Sequence, residues 1–120
     1  WNLNSDRPIF IQIVERIEMD IISGKYKPGD KLPSVRDFAA EAAVNPNTMQ
    51  KAFTELERTG LVFSQRTTGR FITEDTSMID ELKSTLAKDK ITELLSFMQQ
   101  LGFQENEILA MIGQTMKGEK

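Results

Sequence analysis

The tightest constraint in this sequence lies in residues 34–60, where two helical patterns follow one another with almost no chain between them. Ser34-Val35-Arg36-Asp37 is a helix start. Serine suits the N-cap, and an acid three residues on comes close to a capping box. Val35, Phe38, Ala39 and Ala42 then supply one inner face for a helix of about two turns. After a very short break a second start appears, with Asn45 as N-cap and Pro46 at the first helical position, where the missing N–H does no harm. Met49, Ala52, Phe53 and Leu56 give this helix its buried stripe; it runs to Thr59 and stops at Gly60. Two short helices joined by a turn of a few residues are the outline of a helix-turn-helix.

After Gly60 the periodicity changes. Leu61-Val62-Phe63-Ser64 and Arg70-Phe71-Ile72-Thr73 are β-prone runs flanking Gln65-Arg66-Thr67-Thr68-Gly69, the pattern of a hairpin with a glycine-containing loop. A hairpin directly after the second helix is a wing. Upstream, Ile9, Phe10, Ile13, Val14, Ile17, Ile21 and Ile22 predict a helix over residues 8–23, with Pro8 in its first turn and Gly24 closing it. Downstream, Ile79, Leu82, Leu86, Ile91, Leu94, Leu95, Met98 and Leu101 keep helical spacing over residues 77–101. That rod of about 37 Å is too long for one small core to cover. Gly102 ends it, and Ile108, Leu109, Met111, Ile112 and Met116 mark a final short helix. The expected fold is mainly α with a small β-hairpin: a winged helix-turn-helix at residues 1–75 and a C-terminal two-helix dimerisation segment at residues 76–120.

Composition excludes most chemistry. The 120 residues suit one domain with an appended segment. No Cys and no His occur, which removes thiol nucleophiles, imidazole acid–base catalysis and the usual zinc sites, so neither an enzyme nor a bound metal or cofactor is expected. No apolar run reaches the ~18–20 residues needed to cross a bilayer. The start Trp1-Asn2-Leu3-Asn4 lacks the pattern of a secretory signal, and a cytoplasmic protein is expected. The net charge of −3 looks wrong for nucleic acid until it is divided. Residues 1–73 carry 10 Lys/Arg against 9 Asp/Glu, and residues 74–120 carry 5 against 9, so the acid is in the tail. Local positive charge, and not the whole-chain sum, is what a nucleic-acid face requires.

Several words of the sequence, in order, resemble the GntR family of bacterial transcription regulators. They are Pro8-Ile9-Phe10-Ile11-Gln12-Ile13, then Gly24-Lys25-Tyr26-Lys27-Pro28-Gly29-Asp30-Lys31-Leu32-Pro33-Ser34-Val35-Arg36, Asn45-Pro46-Asn47-Thr48, Leu56-Glu57-Arg58-Thr59-Gly60-Leu61 and Gly69-Arg70-Phe71-Ile72. The short helical tail further resembles the YtrA subgroup. That likeness implies dimerisation through two helices, without the large effector domain of other members. Two positions depart from the family pattern. The wing has Arg66-Thr67-Thr68-Gly69-Arg70 where Arg-x-Gly-x-Gly is common, and Pro46 stands where many members have a basic residue.

In a winged helix the N-terminal residues of the recognition helix lie at base edges in the major groove. With its stripe turned inward, the second helix leaves Asn47, Thr48, Gln50, Lys51 and Thr54 toward the outside. Asn and Gln pair bidentately with adenine, and Lys reaches guanine or phosphate. Asn45 is a cap with a backbone contact, and Ser34 serves as cap and phosphate ligand together. The resemblance makes Arg36 a DNA contact at the edge of the recognition helix; its alternative, an ion pair with Asp37 or Glu41, is worth only a few tenths of a kcal/mol. Arg66 and Arg70 flank a hairpin loop containing Thr67 and Gly69, where a long cation enters the minor groove or clamps the backbone. For Arg70 a solvated loop charge is an equal alternative. Lys25, Lys27 and Lys31 read as solubility charges.

The tail residues Ile79, Leu82, Leu86, Ile91, Leu94, Leu95, Met98 and Leu101 either fold back on their own domain or pair with a second chain. Half of them at an interface would supply roughly 6–12 kcal/mol, comparable to the cost of association. A membrane-surface helix is disfavoured by Asp80, Glu81, Asp89 and Glu93 on its polar face. Together these features predict a homodimeric, sequence-specific regulator, a repressor on a palindromic double-stranded DNA operator, with room for a small-molecule effector. The alternative is a winged-helix protein-interaction module that binds no DNA.

Overall fold

The computed structural model describes residues 1–118. The chain divides into two compact units, Trp1–Glu81 and Leu82–Lys120. In the first, α1 (Ile9–Ile22), α2 (Val35–Ala42) and α3 (Pro46–Thr59) precede an antiparallel hairpin of β1 (Val62–Gln65) and β2 (Gly69–Ile72). Helix α4 (Thr76–Gln100) contributes its first turns to this unit and the rest to the second, which also holds α5 (Glu105–Met116).

Helices α1 and α2 both pack on α3. Ile13, Ile17 and Ile21 of α1, Phe38 and Ala39 of α2, and Met49, Ala52, Phe53 and Leu56 of α3 are buried together with Leu32, Leu61, Val62 and Ile72. Aromatic contacts join the helices at one point. The Phe38 ring meets Phe53 edge-on at 5.6 Å, and Trp1 and Tyr26 approach Phe38 the same way at 5.9 and 6.2 Å. Burying Phe38 and Phe53 contributes about 1.5–3 kcal/mol each, and the edge-to-face geometry adds ~0.5–1.5 kcal/mol. Gln12 is buried too, and its side chain holds the N-terminal segment through Asn4 N–H (3.0 Å), Asn4 O (2.8 Å) and Arg7 O (2.9 Å).

The expected elements are present with shifted ends. Pro8 is the N-cap of α1 and not its first turn: its backbone is extended (φ −52°, ψ 134°), and its carbonyl accepts from Ile11 and Gln12. The hairpin strands each lie one residue from their expected position, so the turn holds only Arg66, Thr67 and Thr68 between the paired Gln65 and Gly69. Helix α5 starts at Glu105, a turn before the apolar run, because Gln104 N–H donates to Glu107 Oε1 (2.9 Å) and completes a capping interaction there.

A third segment pairs with β2 along its other edge. Leu32 N–H donates to Arg70 O (2.8 Å), Ile72 N–H to Asp30 O (2.8 Å) and Gly29 N–H to Ile72 O (3.0 Å). This places the loop before α2 beside the wing. The turn between α2 and α3 is a Schellman closure: Val44 N–H reaches Ala39 O (3.0 Å) and Ala43 N–H reaches Ala40 O (3.3 Å). Its left-handed position is occupied by Ala43 (φ 56°, ψ 46°) where glycine is usual.

In the second unit, α4 ends the same way, with Phe103 N–H on Met98 O (3.1 Å) and Gly102, at φ 97°, on Gln99 O (3.0 Å). Met98 and Ile108 are its buried apolar side chains, whereas Ile91, Leu94, Phe97, Leu101, Leu109, Met111 and Met116 are exposed. Among the described residues no helix is long and apolar enough to cross a membrane.

A left-handed alanine carries a Cβ clash that glycine lacks, so Ala43→Gly is expected to stabilise the first unit by about 0.5–1 kcal/mol. Thermal unfolding should show a melting temperature raised by a few degrees; an unchanged or lowered value would overturn the strain assigned to Ala43.

Candidate nucleic-acid interface

The candidate surface is built from two helix starts and one turn. At the start of α2, Ser34 Oγ accepts from Asp37 N–H (3.1 Å), which leaves the remaining first-turn N–H groups of an exposed helix end directed outward. Arg36 stands in this first turn, exposed, and forms neither of the ion pairs available to it on its own helix. At the start of α3, Asn45 Oδ1 accepts from Asn47 N–H (2.7 Å) and Pro46 occupies the first helical position. Asn47, Gln50 and Lys51 are exposed and Thr48 half-buried. Gln50 leans along its own helix, with Nε2 3.4 Å from Thr54 Oγ1. Lys51 Nζ lies 4.1 Å from the centre of the Phe10 ring of α1, a cation–π contact that directs the side chain toward that helix.

In the wing, Arg66 O accepts from Thr68 N–H (2.7 Å) and from Thr67 Oγ1 (2.6 Å), and Thr67 sits at φ 60°. This tight turn holds Arg66 exposed at the tip. Gly69 follows at φ 118°, and a Cβ there would meet Lys31 Cε at 2.9 Å. An open cleft of about 640 Å³ separates the wing turn from the start of α2; its lining includes Lys31, Ser34, Thr67, Gly69 and Arg70, and one acid, Asp37. The structure therefore brings Ser34 together with Thr67, Gly69 and Arg70, two elements more than thirty residues apart in sequence. It also adds Lys31, read from sequence as a solubility charge, to their margin.

Arg70 is differently placed from Arg66. Its Nε donates to Glu57 Oε1 of α3, and its guanidinium lies 5.2 Å from the Phe53 ring centre. Ser64 Oγ donates to the same Glu57 oxygen (2.9 Å). Burial pushes the Glu57 carboxyl up, but the hydrogen bonds from Arg70 and Ser64 and the Arg70 charge outweigh it and hold the group below its ordinary value of 4.5. The expected loop cation is thus engaged inside the domain. Glu57 was not legible as a functional candidate, since nothing within α3 signals its partners on the hairpin. By contrast Arg36, Lys31 and Arg66 form no ion pair among the described residues. Their charge faces solvent, as a phosphate-binding surface requires.

A capped, exposed second helix beside a wing, with unpaired cations at both margins, defines a winged helix-turn-helix protein that binds DNA. Residues 11–72 match the family described as "Bacterial regulatory proteins, gntR family", and the chain belongs to that family of transcriptional regulators. It is 40% identical over 105 residues to the "Uncharacterized HTH-type transcriptional regulator YhcF" of Bacillus subtilis, covering 88% of this chain and 87% of that protein. It is also 40% identical over 97 residues to the "HTH-type transcriptional repressor YtrA" of the same organism, covering 81% and 70%. Among solved structures, a "GntR family transcriptional regulator from Listeria monocytogenes" superposes with a TM-score of 0.88 at 38% identity, covering 93% of this chain and 98% of that one. These relatives are regulators of transcription and not enzymes.

Arg36→Ala removes an exposed cation that nothing in the protein holds. It is expected to weaken binding to cognate DNA about 5- to 100-fold while changing stability by less than ~0.5 kcal/mol. Gel-shift titration with a parallel thermal melt checks this; a large loss of stability would make Arg36 structural.

Proposed function

We propose that this protein is a homodimeric repressor that binds a two-fold-symmetric operator. Asn47, Thr48, Gln50 and Lys51 read or flank the bases, Asn45 caps their helix and meets the backbone, and Ser34, Arg36, Arg66, Thr67 and Gly69 contact phosphate or the minor groove. The observation that carries the DNA-contact assignment is that Arg36 in the first turn of α2, Lys31 in the loop before it and Arg66 in the wing turn form no ion pair among the described residues. Arg70 is left out of the contact set because Glu57 and Phe53 already hold its guanidinium. Acting on chromosomal DNA, the protein works in the cytoplasm.

The dimeric reading rests on the second unit. Ile91 and Leu94, three residues apart on α4, and Leu101, in the turn directly after it, are each exposed by 44% or more. Phe97 is 58% exposed and Leu109 on α5 64%. Among the described residues of this unit Met98 and Ile108 are the only buried apolar side chains, and half of its large apolar side chains are exposed to water. A second copy covering them removes that exposure at about 25 cal/mol per Å². Two-fold pairing then presents two recognition helices to the two halves of a palindrome. The curated repressor YtrA, similar over 81% of this chain, supports the sign of regulation.

Two measurements test this. Binding to a duplex selected from random-sequence DNA should fall by about 10³–10⁵ between 50 and 200 mM salt, as for a dimer neutralising ~6–10 phosphates. Absence of DNA binding even at low salt would favour a protein-interaction module. Leu94→Glu should convert the dimer to monomer in sedimentation and lower operator affinity; a dimer that persists would place the interface elsewhere.

A further inference from the structure

The register of the hairpin singles out one more residue. Val62 pairs with Ile72 and Ser64 with Arg70. Because alternate residues of a strand share a face, Ser64 and Arg70 continue the face that Val62 and Ile72 begin. That face is buried at Val62 and Ile72 and turns polar at the next pair. There it meets Glu57 of α3, which accepts from Ser64 Oγ (2.9 Å) on one strand and from Arg70 Nε on the other. The opposite face carries the stacked pair Phe63 and Phe71, 5.9 Å apart. Arg58, the neighbouring cation on α3, is paired with Glu55 and does not compete.

We propose that Glu57 is a positioning residue of the DNA-binding surface, fixing the wing to α3 through both of its strands, with Arg70 as its strut and not a phosphate ligand. The inference rests on the DNA-binding reading of this domain. A two-stranded hairpin is marginal by itself and holds its angle only through what it packs against. Val62 and Ile72 anchor its base and residues 29–32 pair with the outer edge of β2 as far as Arg70, but on the α3 side the Glu57 contact is the last hydrogen bond before the turn that begins at Arg66. The Glu57 and Arg70 side chains are 31% and 26% exposed, so water screens their attraction less than that of a surface pair. A small change of angle at this point displaces Arg66 from the backbone it contacts. The effect of Glu57 on DNA is therefore transmitted through the wing.

The probe is a duplex selected by the wild-type protein from random-sequence DNA, and the variants are E57Q, R70Q, their double and R66A. R66A should lower the slope of log affinity against log salt by about one and mark the wing-contacted nucleotides by loss of hydroxyl-radical protection. E57Q and R70Q should each weaken binding about threefold to tenfold, within reach of one partly screened ion pair. Both should lose protection at the same nucleotides as R66A, keep the wild-type salt slope, and melt within a few degrees of wild type. The double variant should bind no more weakly than either single one. A slope lowered by about one in R70Q would make Arg70 a phosphate ligand and overturn the proposal. So would wild-type affinity in E57Q, additive losses in the double variant, or weakening that tracks a fall in melting temperature with protection lost uniformly. Wild-type protein that selects no DNA would fail the underlying reading instead, an outcome distinct from these.

Discussion

The edge-on contact of Phe38 with Phe53 is the joint on which the DNA-binding domain depends. It ties α2 to α3 across the short turn at Ala43, and Ile13 and Ile17 of α1 close the same core. Rings packed at 5.6 Å permit little sliding, so the angle between the two helices is set by shape as much as by the turn. Everything functional inherits that angle. The exposed face of α3, the start of α2 carrying Arg36, and the hairpin braced on Glu57 are all placed relative to this contact.

Around that joint the charges have sorted themselves into two kinds. Some are taken up within the fold: Arg70 with Glu57, Arg58 with Glu55, and Arg16 and Lys25 with Asp20. Others have no ion-pair partner among the described residues: Arg36 is exposed in the first turn of α2, Lys31 lines the cleft, and Arg66 is exposed in the wing turn. The distinction matters because an ion already paired must lose one partner to gain another, whereas an unpaired cation releases only counterions from the DNA. A near-neutral domain thereby presents exposed cations, and six of the acidic residues after residue 73, Asp80, Glu81, Asp89, Glu93, Glu105 and Glu107, lie on α4 and α5.

Much of this was legible in the chain because the signals are local. Ser34, Asn45-Pro46 and Gly60 act within one helical turn of themselves, and all three served as the structure uses them. The inner stripe Met49, Ala52, Phe53 and Leu56 is fully buried, as its 3.6-residue period required. The misplaced ends have equally local causes: Pro8 lies outside its helix as cap, and Gln104 with Glu107 starts α5 before any apolar residue appears. Of the site residues, Ser34, Arg36, Asn47, Gln50, Lys51 and Arg66 are exposed, as expected from the complement of the buried stripe.

The sequence alone determined the order of elements, the helix starts and stops, and the family, because each follows from short-range periodicity and capping or from words in fixed order. Only the tertiary structure decided which charges are available. Arg66 and Arg70 are equivalent in composition and nearly so in position, yet one is at the tip of a turn and the other on the strand face that meets Glu57, thirteen residues earlier in the chain. The isolated bridge that Lys31 makes to Phe71, between Asp30 and Leu32, is likewise too short to show a period and forms on the edge that β2 offers. Pairing across a hairpin and burial against a distant helix depend on register and packing, and neither is written in any window of neighbouring residues.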